Sequence, residues 1–513
     1  MAEGNTNGHG YSQEMIIKAF PVQAGKLVCI LNEVDVSEFG LFAGDRVELS
    51  NKRNSKKCVA VIDVTKEFVP QHHIGLFEDV LEKLGAKGKE MLVVKATEPL
   101  KSLDFIKKKM MGELLSRDEL SEIVKDIAEE RLSDIEASAF ISAVYMRGLN
   151  LDETIFMAKS LMGYGRSINF TKGPIVDKHS VGGVNGRATM VIVPIVAAAG
   201  LLMPKTSSRS ITSAAGTADA MEVLCPVNLS MEEVKSQTEK IGAVISWGGA
   251  VDLAPADDKI IKLEHPLSLD PEGQVIASVL AKKASVGSKF VVIDLPVGGY
   301  VKIKDKETAL RMAKKFVAVG KELGMEIESV ITNGDEPSGP AFGPALEAKH
   351  AMEILEGKRF DNLAQKSCEL AGALFELVGQ CKPGQGYYNA LDILKSGKAL
   401  EKMKQILKVQ GGKIFCSEDV PLSTMKKEVL AKEDGVVEDI NTREVTKIAR
   451  RAGCPANKLA GILLNKMEGD KVKVGDVLFT IYAENEQKLV SAVSYAQIKP
   501  PYMFKKIILS MIR

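Results

Sequence analysis

The chain has 513 residues, of which 26% are charged, and its formal net charge is +1 at pH 7. This length predicts three or four domains, and the balanced charge excludes a global field that would recruit a nucleic-acid polymer or a membrane surface. The longest apolar run, residues 191–203, is shorter than the ~20 residues that a membrane-spanning helix needs, and Pro194 interrupts it.

The N-terminal residues 1–12 have neither a basic region nor an apolar stretch, so we expect a disordered tail without a secretory signal. The seven cysteines are scattered and form no Cys-x-x-Cys pair. This pattern is typical of reduced thiols, and it predicts a cytoplasmic protein without a disulfide framework or a metal site.

Residues 13–98 predict a β-rich, barrel-like N-terminal domain, because short apolar segments alternate there with turn residues. One helix is expected within it, at about residues 75–84.

The apolar period becomes helical from residue 100 onward. Ser116 and Ser133 each begin a Ser-x-x-Glu capping box, and Asn150 is the candidate N-cap of a third helix. We therefore predict a small helical domain over residues 100–168, which further helices from residues 200–245 can join.

Strand-like apolar segments alternate with helical patterns over residues 169–345, which predicts a central, mostly parallel α/β domain. In such sheets ligands bind beyond the carboxyl ends of the strands. Residues 346–513 predict a C-terminal α+β domain, with a hammerhead-like β region from about residue 414. The fold class expected for the whole chain is thus multidomain α/β.

Two clusters of small residues, hydroxyls and a cation lie within residues 177–222. The first is Lys-His-Ser-Val-Gly-Gly at 178–183, and the second lies within residues 207–217. Glycines let backbone N–H groups approach an anion, and hydroxyls and a cation complete the cradle. Each cluster alone is most simply a turn, a helix cap or a solvated loop. We expect the apolar run 190–203 to hold both at the ends of one buried element, which favours a phosphate site.

This string resembles the signature region of the thymidine/pyrimidine nucleoside phosphorylase family, and within it the archaeal branch that acts on nucleoside monophosphates. The likeness extends from about residue 14 to the C-terminus. It implies an enzyme, a pentosyltransferase, in which AMP (also CMP or UMP) and inorganic phosphate give a free base and ribose 1,5-bisphosphate. It implies no organic cofactor and no metal, and a homodimer or larger homo-oligomer whose helical domain closes over the α/β domain to exclude water.

The resemblance also implies the anion-binding residues. The positions that match phosphate ligands are Lys178, Ser180, Thr189, Ser207 and Thr217. The positions that match nucleotide contacts are Gly182, Ser208, Arg209, Ser210, Ile211, Thr212, Ser213, Thr217, Ser278, Lys282 and Lys302. From the residue types alone, Arg209 is equally a structural ion pair, and Lys302, placed on a strand, a solvated side chain.

Two residues match the catalytic groups of the family. Asp270 matches the proton donor of the nucleotide branch, so we expect burial or a like charge to keep it protonated. Its alternative role is the N-cap of a helix that begins at Pro271. His179 either delivers a proton to the base or orients sugar and phosphate, and an ordinary imidazole pKa of ~6.5 suits the first role.

Leu263 occupies the position at which the pyrimidine enzymes hold the base with an arginine, which favours a different base. The alternatives are a pyrimidine nucleoside phosphorylase acting on thymidine or uridine, and a non-catalytic nucleotide-binding protein. A gain of thymidine activity in Leu263→Arg would support the reading of this position.

Overall fold

The computed structural model describes residues 12–97, 100–182, 185–210, 213–251, 253–267 and 269–505. The predicted tail falls outside these ranges except for Ser12, which begins the first strand. The chain divides into two compact units, one made of Met1–Gly148 with Lys259–Leu269, the other of Leu149–Asp258 with Asp270–Arg513.

The first unit begins with a closed six-stranded barrel in the order β1-β5-β2-β4-β3-β6. Its strands are β1 Ser12–Phe20, β2 Val28–Asn32, β3 Arg46–Ser50, β4 Lys57–Thr65, β5 His73–Phe77 and β6 Met91–Ala96, and its helices are α1 Glu33–Glu38 and α2 Glu78–Leu84. The β1–β5 and β2–β4 pairs are parallel and the others antiparallel. Alternate residues such as Val47 and Leu49 point inward and are fully buried.

The helix expected at residues 75–84 is only partly correct, because the structure places strand β5 over the first three of these positions. Gly75 lies on that strand, and a side chain there would meet Phe20 at 2.7 Å. A glycine in a buried strand marks such a close approach. Glycine has no side chain that could favour a strand, and the apolar residues around Gly75 fit a strand and a helix alike. The local sequence therefore did not distinguish the two.

Three helices of the first unit follow the barrel: α3 Lys101–Met110, α4 Arg117–Ala128 and α5 Asp134–Arg147. The capping boxes predicted at Ser116 and Ser133 are both formed, with Glu119 and Glu136 as the third helical residues. These local side-chain bonds satisfy backbone N–H groups that the helices leave unpaired, which is why the sequence locates the helix starts correctly.

The second unit opens with α6 Leu151–Gly163, capped as predicted by Asn150. The elements after it in the chain are β7 Ile175–Ser180, α7 Ala188–Ala198, β8 Met203–Ser207, α8 Thr217–Leu224, α9 Met231–Ile241, β9 Ala243–Trp247, α10 Pro255–Glu264, α11 Glu272–Ser285, β10 Ser288–Val297, α12 Lys306–Glu322 and β11 Glu326–Asn333. Of these, α10 belongs to the first unit from Lys259 onward. The strands form a parallel sheet β11-β10-β7 and a parallel pair β8-β9, joined by a parallel bridge between Ile175 and Leu202. The mostly parallel sheet is thus confirmed.

The apolar run 190–203 is two elements, so the expectation of one was wrong. Helix α7 ends at Ala198, the chain turns at Gly200 with φ +89°, and β8 begins at Met203. Pro194 lies inside the helix. Glycine adopts this left-handed backbone readily, and that freedom allows the run to reverse while both halves stay buried.

The remaining elements form a helical layer and a β-rich end. They are β12 Ala341–Phe342, α13 Pro344–Leu355, α14 Asn362–Leu377, α15 Gly386–Lys395, α16 Lys398–Val409, β13 Lys426–Leu430, β14 Gly435–Ile440, α17 Thr442–Ala452, β15 Gly461–Leu464, β16 Lys471–Val472, β17 Val477–Tyr482, α18 Glu486–Ile498 and β18 Tyr502–Phe504. Helices α7, α13, α14 and α16 share one hydrophobic core with the central strands, and the β-rich end has its own.

Candidate active site

Strand β7 carries the Asp-Lys-His-Ser motif to the carboxyl end of the parallel sheet. Because side chains alternate along a strand, Lys178 and Ser180 lie on one face, and Asp177 and His179 on the other. The motif therefore builds two separate charged clusters.

The first cluster surrounds Asp294 of β10, whose side chain is only 1% exposed. Its Oδ2 accepts a hydrogen bond of 2.6 Å from Ser180 Oγ and lies 3.1 Å from Lys366 Nζ of α14. Lys178 Nζ bonds Ser180 Oγ and stands 3.8 Å from the same carboxylate. On the other side, Thr332 Oγ1 donates to Asp294 Oδ1 at 2.6 Å. Burial lowers the pKa of Lys178 to about 8, although Asp294 counteracts it. This group can hold an anion, since its two cations exceed its one carboxylate.

The second cluster is centred on Asp177. Its Oδ1 accepts a hydrogen bond of 2.8 Å from Lys205 of β8, and its Oδ2 lies 2.6 Å from Lys283 of α11. Burial acts to raise the pKa of Asp177, but the two ammonium groups outweigh it and lower this pKa to about 2. Burial in turn lowers the pKa of Lys205 to about 7.

His179 is on the face of this second cluster, and its expected ordinary pKa is wrong. Burial, then the charges of Lys283 and Lys205, lower the pKa of His179 well below its usual value. The imidazole is therefore neutral at neutral pH, and it can orient a ligand through its N–H or its lone pair rather than supply a proton from the imidazolium.

The second sequence cluster connects the end of β8 to the start of α8. Ser207 is the last residue of β8, and Thr217 is the first residue of α8, with Gly216 as N-cap. Asp219 closes the segment, because its Oδ2 accepts from the backbone N–H of Ser210 at 2.7 Å and of Gly216 at 2.9 Å. A side chain at Gly216 would lie 2.5 Å from the Ser208 carbonyl oxygen, so the segment packs directly on this glycine.

The remaining residues predicted for these clusters lie in turns and at a helix start. Ser213 Oγ donates to the Ala215 carbonyl, and its own carbonyl accepts from Ser210 Oγ at 2.6 Å. Thr189 lies in the first turn of α7. Ile211 and Thr212 are outside the described residues.

Arg209 forms a structural ion pair, which was the alternative that its residue type left open. Its guanidinium bonds both oxygens of Glu222 at 2.7 and 2.6 Å, stands 3.3 Å from Asp219, and lies over the Trp247 ring at 4.9 Å. Lys458 adds a second cation to Glu222 at 2.8 Å. The pKa of Glu222 is lowered to about 2, and the hydrogen bonds from Arg209 are the largest cause. The arginine thus fixes the segment through its acidic partners.

Ser278 and Lys282, one turn apart on α11, meet a fully buried carboxylate. Asp257 Oδ2 accepts from Ser278 Oγ at 2.7 Å and lies 2.9 Å from Lys282 Nζ, which also bonds Asp258 at 2.9 Å. Burial acts to lower the pKa of Lys282, but the charges of the two carboxylates outweigh burial and raise this pKa. The structure thus brings both predicted base contacts together.

Asp270 and Lys302 are joined by a hydrogen bond of 2.5 Å, and both are nearly half exposed. The expected burial or like charge at Asp270 is therefore wrong. Its alternative role is wrong too, because the N-cap of α11 is Pro271. Lys302 is not on a strand either: only the next residue, Ile303, makes an isolated bridge. Gly182 lies against Lys302, with φ +135° and its added Cβ 3.7 Å from that residue's backbone N.

The clusters include residues that no sequence motif identified: Asp294, Thr332, Lys366, Lys205 and Lys283. Asp294 stands inside an apolar strand segment and Lys205 directly after one, and a charge in such a place is almost never buried unless it is paired. That signal identifies them as paired groups, but it does not name the partner. Among the described residues no group of three or more His, Cys, Asp or Glu side chains could hold a metal, and no helix there is long and apolar enough to cross a membrane.

Three family models match the chain: the helical bundle domain of a glycosyl transferase family over residues 103–165, the a/b domain of that family over residues 172–400, and the pyrimidine nucleoside phosphorylase C-terminal domain over residues 436–500. The solved anthranilate phosphoribosyltransferase of Thermus thermophilus shares the fold at a TM-score of 0.51, covering 60% of this chain and 99% of its own at 19% identity. These matches define a glycosyl transferase with a nucleoside phosphorylase C-terminal domain.

Similarity to curated proteins is higher and covers nearly the full length. AMP phosphorylase 1 of Archaeoglobus fulgidus is 45% identical over 97% of this chain and 99% of its own, and AMP phosphorylase of Methanococcoides burtonii is 41% identical over 98% and 99%. The chain therefore belongs to the AMP phosphorylase family.

Proposed function

We propose that this protein is an AMP phosphorylase, which converts AMP, and also CMP or UMP, with inorganic phosphate to the free base and ribose 1,5-bisphosphate in archaeal nucleotide degradation. The observation that carries the proposal is the buried, net positive cluster around Lys178 and Ser180 at the carboxyl end of parallel strands. The full-length similarity to AMP phosphorylases supports the substrate.

The reaction moves one glycosidic bond and one proton. A phosphate oxygen forms a bond to C1 of the ribose, the bond from C1 to the base nitrogen breaks, and its electron pair leaves with the base. A proton on a ring nitrogen of the base makes adenine a better leaving group. The protein must therefore position a phosphate dianion and supply one proton. Because phosphate and side chains meet both needs, we propose no organic cofactor and no metal.

The phosphate is held by Lys178 and Ser180, with Thr189, Ser207 and Thr217 as further hydroxyl ligands. What supports the two threonines is their place in the first turns of α7 and α8. Helix N-termini favour anions there, because unpaired N–H groups and the helix dipole point toward them.

Asp270 is the proposed proton donor, and Lys302 the proposed contact of the nucleotide 5′-phosphate. What supports pairing these two roles is their hydrogen bond of 2.5 Å, which brings the two side chains to one point. The neutral imidazole of His179 orients the substrate.

The base is contacted by Ser278 and Lys282, which Asp257 and Asp258 orient. Ser208, Ser210 and the rest of the segment 208–213 hold the nucleotide together with Gly182. Arg209 acts in this segment through its acidic partners. The chain has Leu263 where the pyrimidine enzymes have a base-binding arginine, which supports adenine as the base.

The protein is proposed to be cytoplasmic and a homo-oligomer. All seven cysteines are free thiols, which suits a reducing compartment. Ile135 and Met146 on α5 are 83% and 76% exposed, and large exposed apolar side chains favour a partner surface. Light scattering with size-exclusion chromatography measures the assembly.

The test is a phosphate-dependent base-release assay that compares AMP with adenosine, thymidine and uridine. Release from AMP but not from adenosine is expected, because only AMP engages the 5′-phosphate site. Release from thymidine or uridine alone would identify a pyrimidine nucleoside phosphorylase. Absence of release from all four would favour a non-catalytic nucleotide-binding protein.

A further inference from the structure

The carboxylate of Asp294 stands inside the cluster that is proposed to bind a phosphate dianion. It lies 3.8 Å from the ammonium of Lys178 and accepts the hydroxyl proton of Ser180 at 2.6 Å. A carboxylate in this place repels an anion unless its charge is cancelled. The chain supplies a second, separate cation for that purpose.

That cation is Lys366 on helix α14, whose side chain is 14% exposed. Its Nζ lies 3.1 Å from Asp294 Oδ2 and bonds Thr332 Oγ1 at 3.0 Å, and the same hydroxyl donates to Asp294 Oδ1 at 2.6 Å. The distance from Asp294 Oδ2 is 3.1 Å to Lys366 Nζ and 3.8 Å to Lys178 Nζ. The tighter ion pair of Asp294 is therefore with Lys366.

Charge counting shows the consequence. Lys178, Lys366 and Asp294 together carry a net charge of +1 in a buried environment. Without Lys366 the carboxylate would cancel the charge of Lys178, and an incoming phosphate would meet a neutral site that contains a fixed negative charge. Because the surroundings are poorly screened, this difference acts strongly on a dianion.

We propose, on the basis of the proposed phosphorolysis, that Asp294 and Lys366 are positioning residues of the phosphate site. Asp294 orients the Lys178 ammonium and the Ser180 hydroxyl, and Lys366 cancels the charge of Asp294 so that Lys178 remains available to phosphate. Thr332 fixes the contact between the two, since it accepts from Lys366 and donates to Asp294.

The experiment is a double-mutant cycle with Lys366→Met and Asp294→Asn, read out as the KM for phosphate, the KM for AMP and the direct binding of inorganic phosphate by calorimetry. Lys366→Met is expected to raise the phosphate KM by about thirtyfold or more, with the KM for AMP changed by less than about threefold. Lys366→Arg is expected to preserve phosphate binding, because it keeps the charge. Lys402→Met is the matched control, since that lysine donates to the Ile241 carbonyl at 2.9 Å, and burial lowers its pKa.

The decisive variant is the double replacement. With the carboxylate gone, the cancelling cation is no longer needed, so Asp294→Asn/Lys366→Met is expected to recover at least about tenfold of the lost phosphate affinity. A merely structural role predicts further loss. An unchanged phosphate KM in Lys366→Met, or a double variant weaker than the single one, overturns the inference. If Lys366→Met does not fold, the double variant alone decides, by binding phosphate or failing to. A wild-type protein that neither binds phosphate nor releases adenine refutes the proposed function instead.

Discussion

Replacing Asp257 by asparagine should weaken AMP turnover far more than replacing its neighbour Asp258. Both carboxylates lie 2.9 Å from the Lys282 ammonium, but the Asp257 side chain is fully buried and that of Asp258 is 37% exposed. Only Asp257 also accepts the Ser278 hydroxyl, at 2.7 Å. The pair therefore compares one lysine with two carboxylates that differ in burial.

The magnitude follows from the bonds lost. In Asp257→Asn the amide oxygen still accepts from Ser278, but the charge that holds Lys282 disappears, and hydrogen bonds to charged groups contribute about 1.5–3 kcal/mol each. Since Lys282 keeps Asp258, we expect a loss of about 2 kcal/mol, which is roughly thirtyfold in kcat/KM for AMP. Asp258→Asn removes a partly solvated contact worth about 0–1 kcal/mol, which is at most about fivefold.

The assay is adenine release at saturating phosphate over a range of AMP concentrations. Circular dichroism and thermal unfolding of each variant separate a fold defect from a site defect. Equal losses in both variants would show that burial does not set the strength of this contact, and wild-type kinetics in Asp257→Asn would refute the orientation of Ser278 and Lys282 by Asp257.

Three further outcomes are expected. Burial lowers the pKa of Lys178 to about 8, and the protonated ammonium is the form proposed to bind phosphate; kcat/KM for phosphate should therefore fall as pH rises through 8, and a flat profile to pH 10 would contradict this. Asp270→Asn should lower kcat for AMP by about 10²–10⁴-fold, but spare a 7-methylpurine nucleotide, whose base leaves without protonation; equal losses on both substrates would remove the acid role. Gly386→Ala places a Cβ 2.1 Å from the Gly372 carbonyl oxygen, so urea titration should show a free energy of unfolding lower by about 1–3 kcal/mol, whereas Gly163→Ala, with open space around it, should show no such loss.

Local signals in the sequence predicted much of the fold. The capping boxes at Ser116 and Ser133 were correct, because a cap is made by residues three positions apart. The parallel central sheet was predicted from alternating strand and helix patterns. The prediction of one element over residues 190–203 was wrong. Hydrophobicity indicates that a run is buried, but a buried run can form one element or two.

Sequence by itself also determined which residues of the Asp-Lys-His-Ser motif share a face, because the alternation of a strand is a local property. Only the tertiary structure decided what each face meets. Asp294 lies 114 residues from Ser180 along the chain, and Lys366 reaches the same carboxylate from a helix of the next layer. These partners set the net charge of the cluster around Lys178 and Ser180, whereas burial and the charges of Lys283 and Lys205 keep His179 neutral on the other face. The physical reason is that electrostatic interactions depend on distance and burial in space, and neither is encoded in the spacing of residues along the chain.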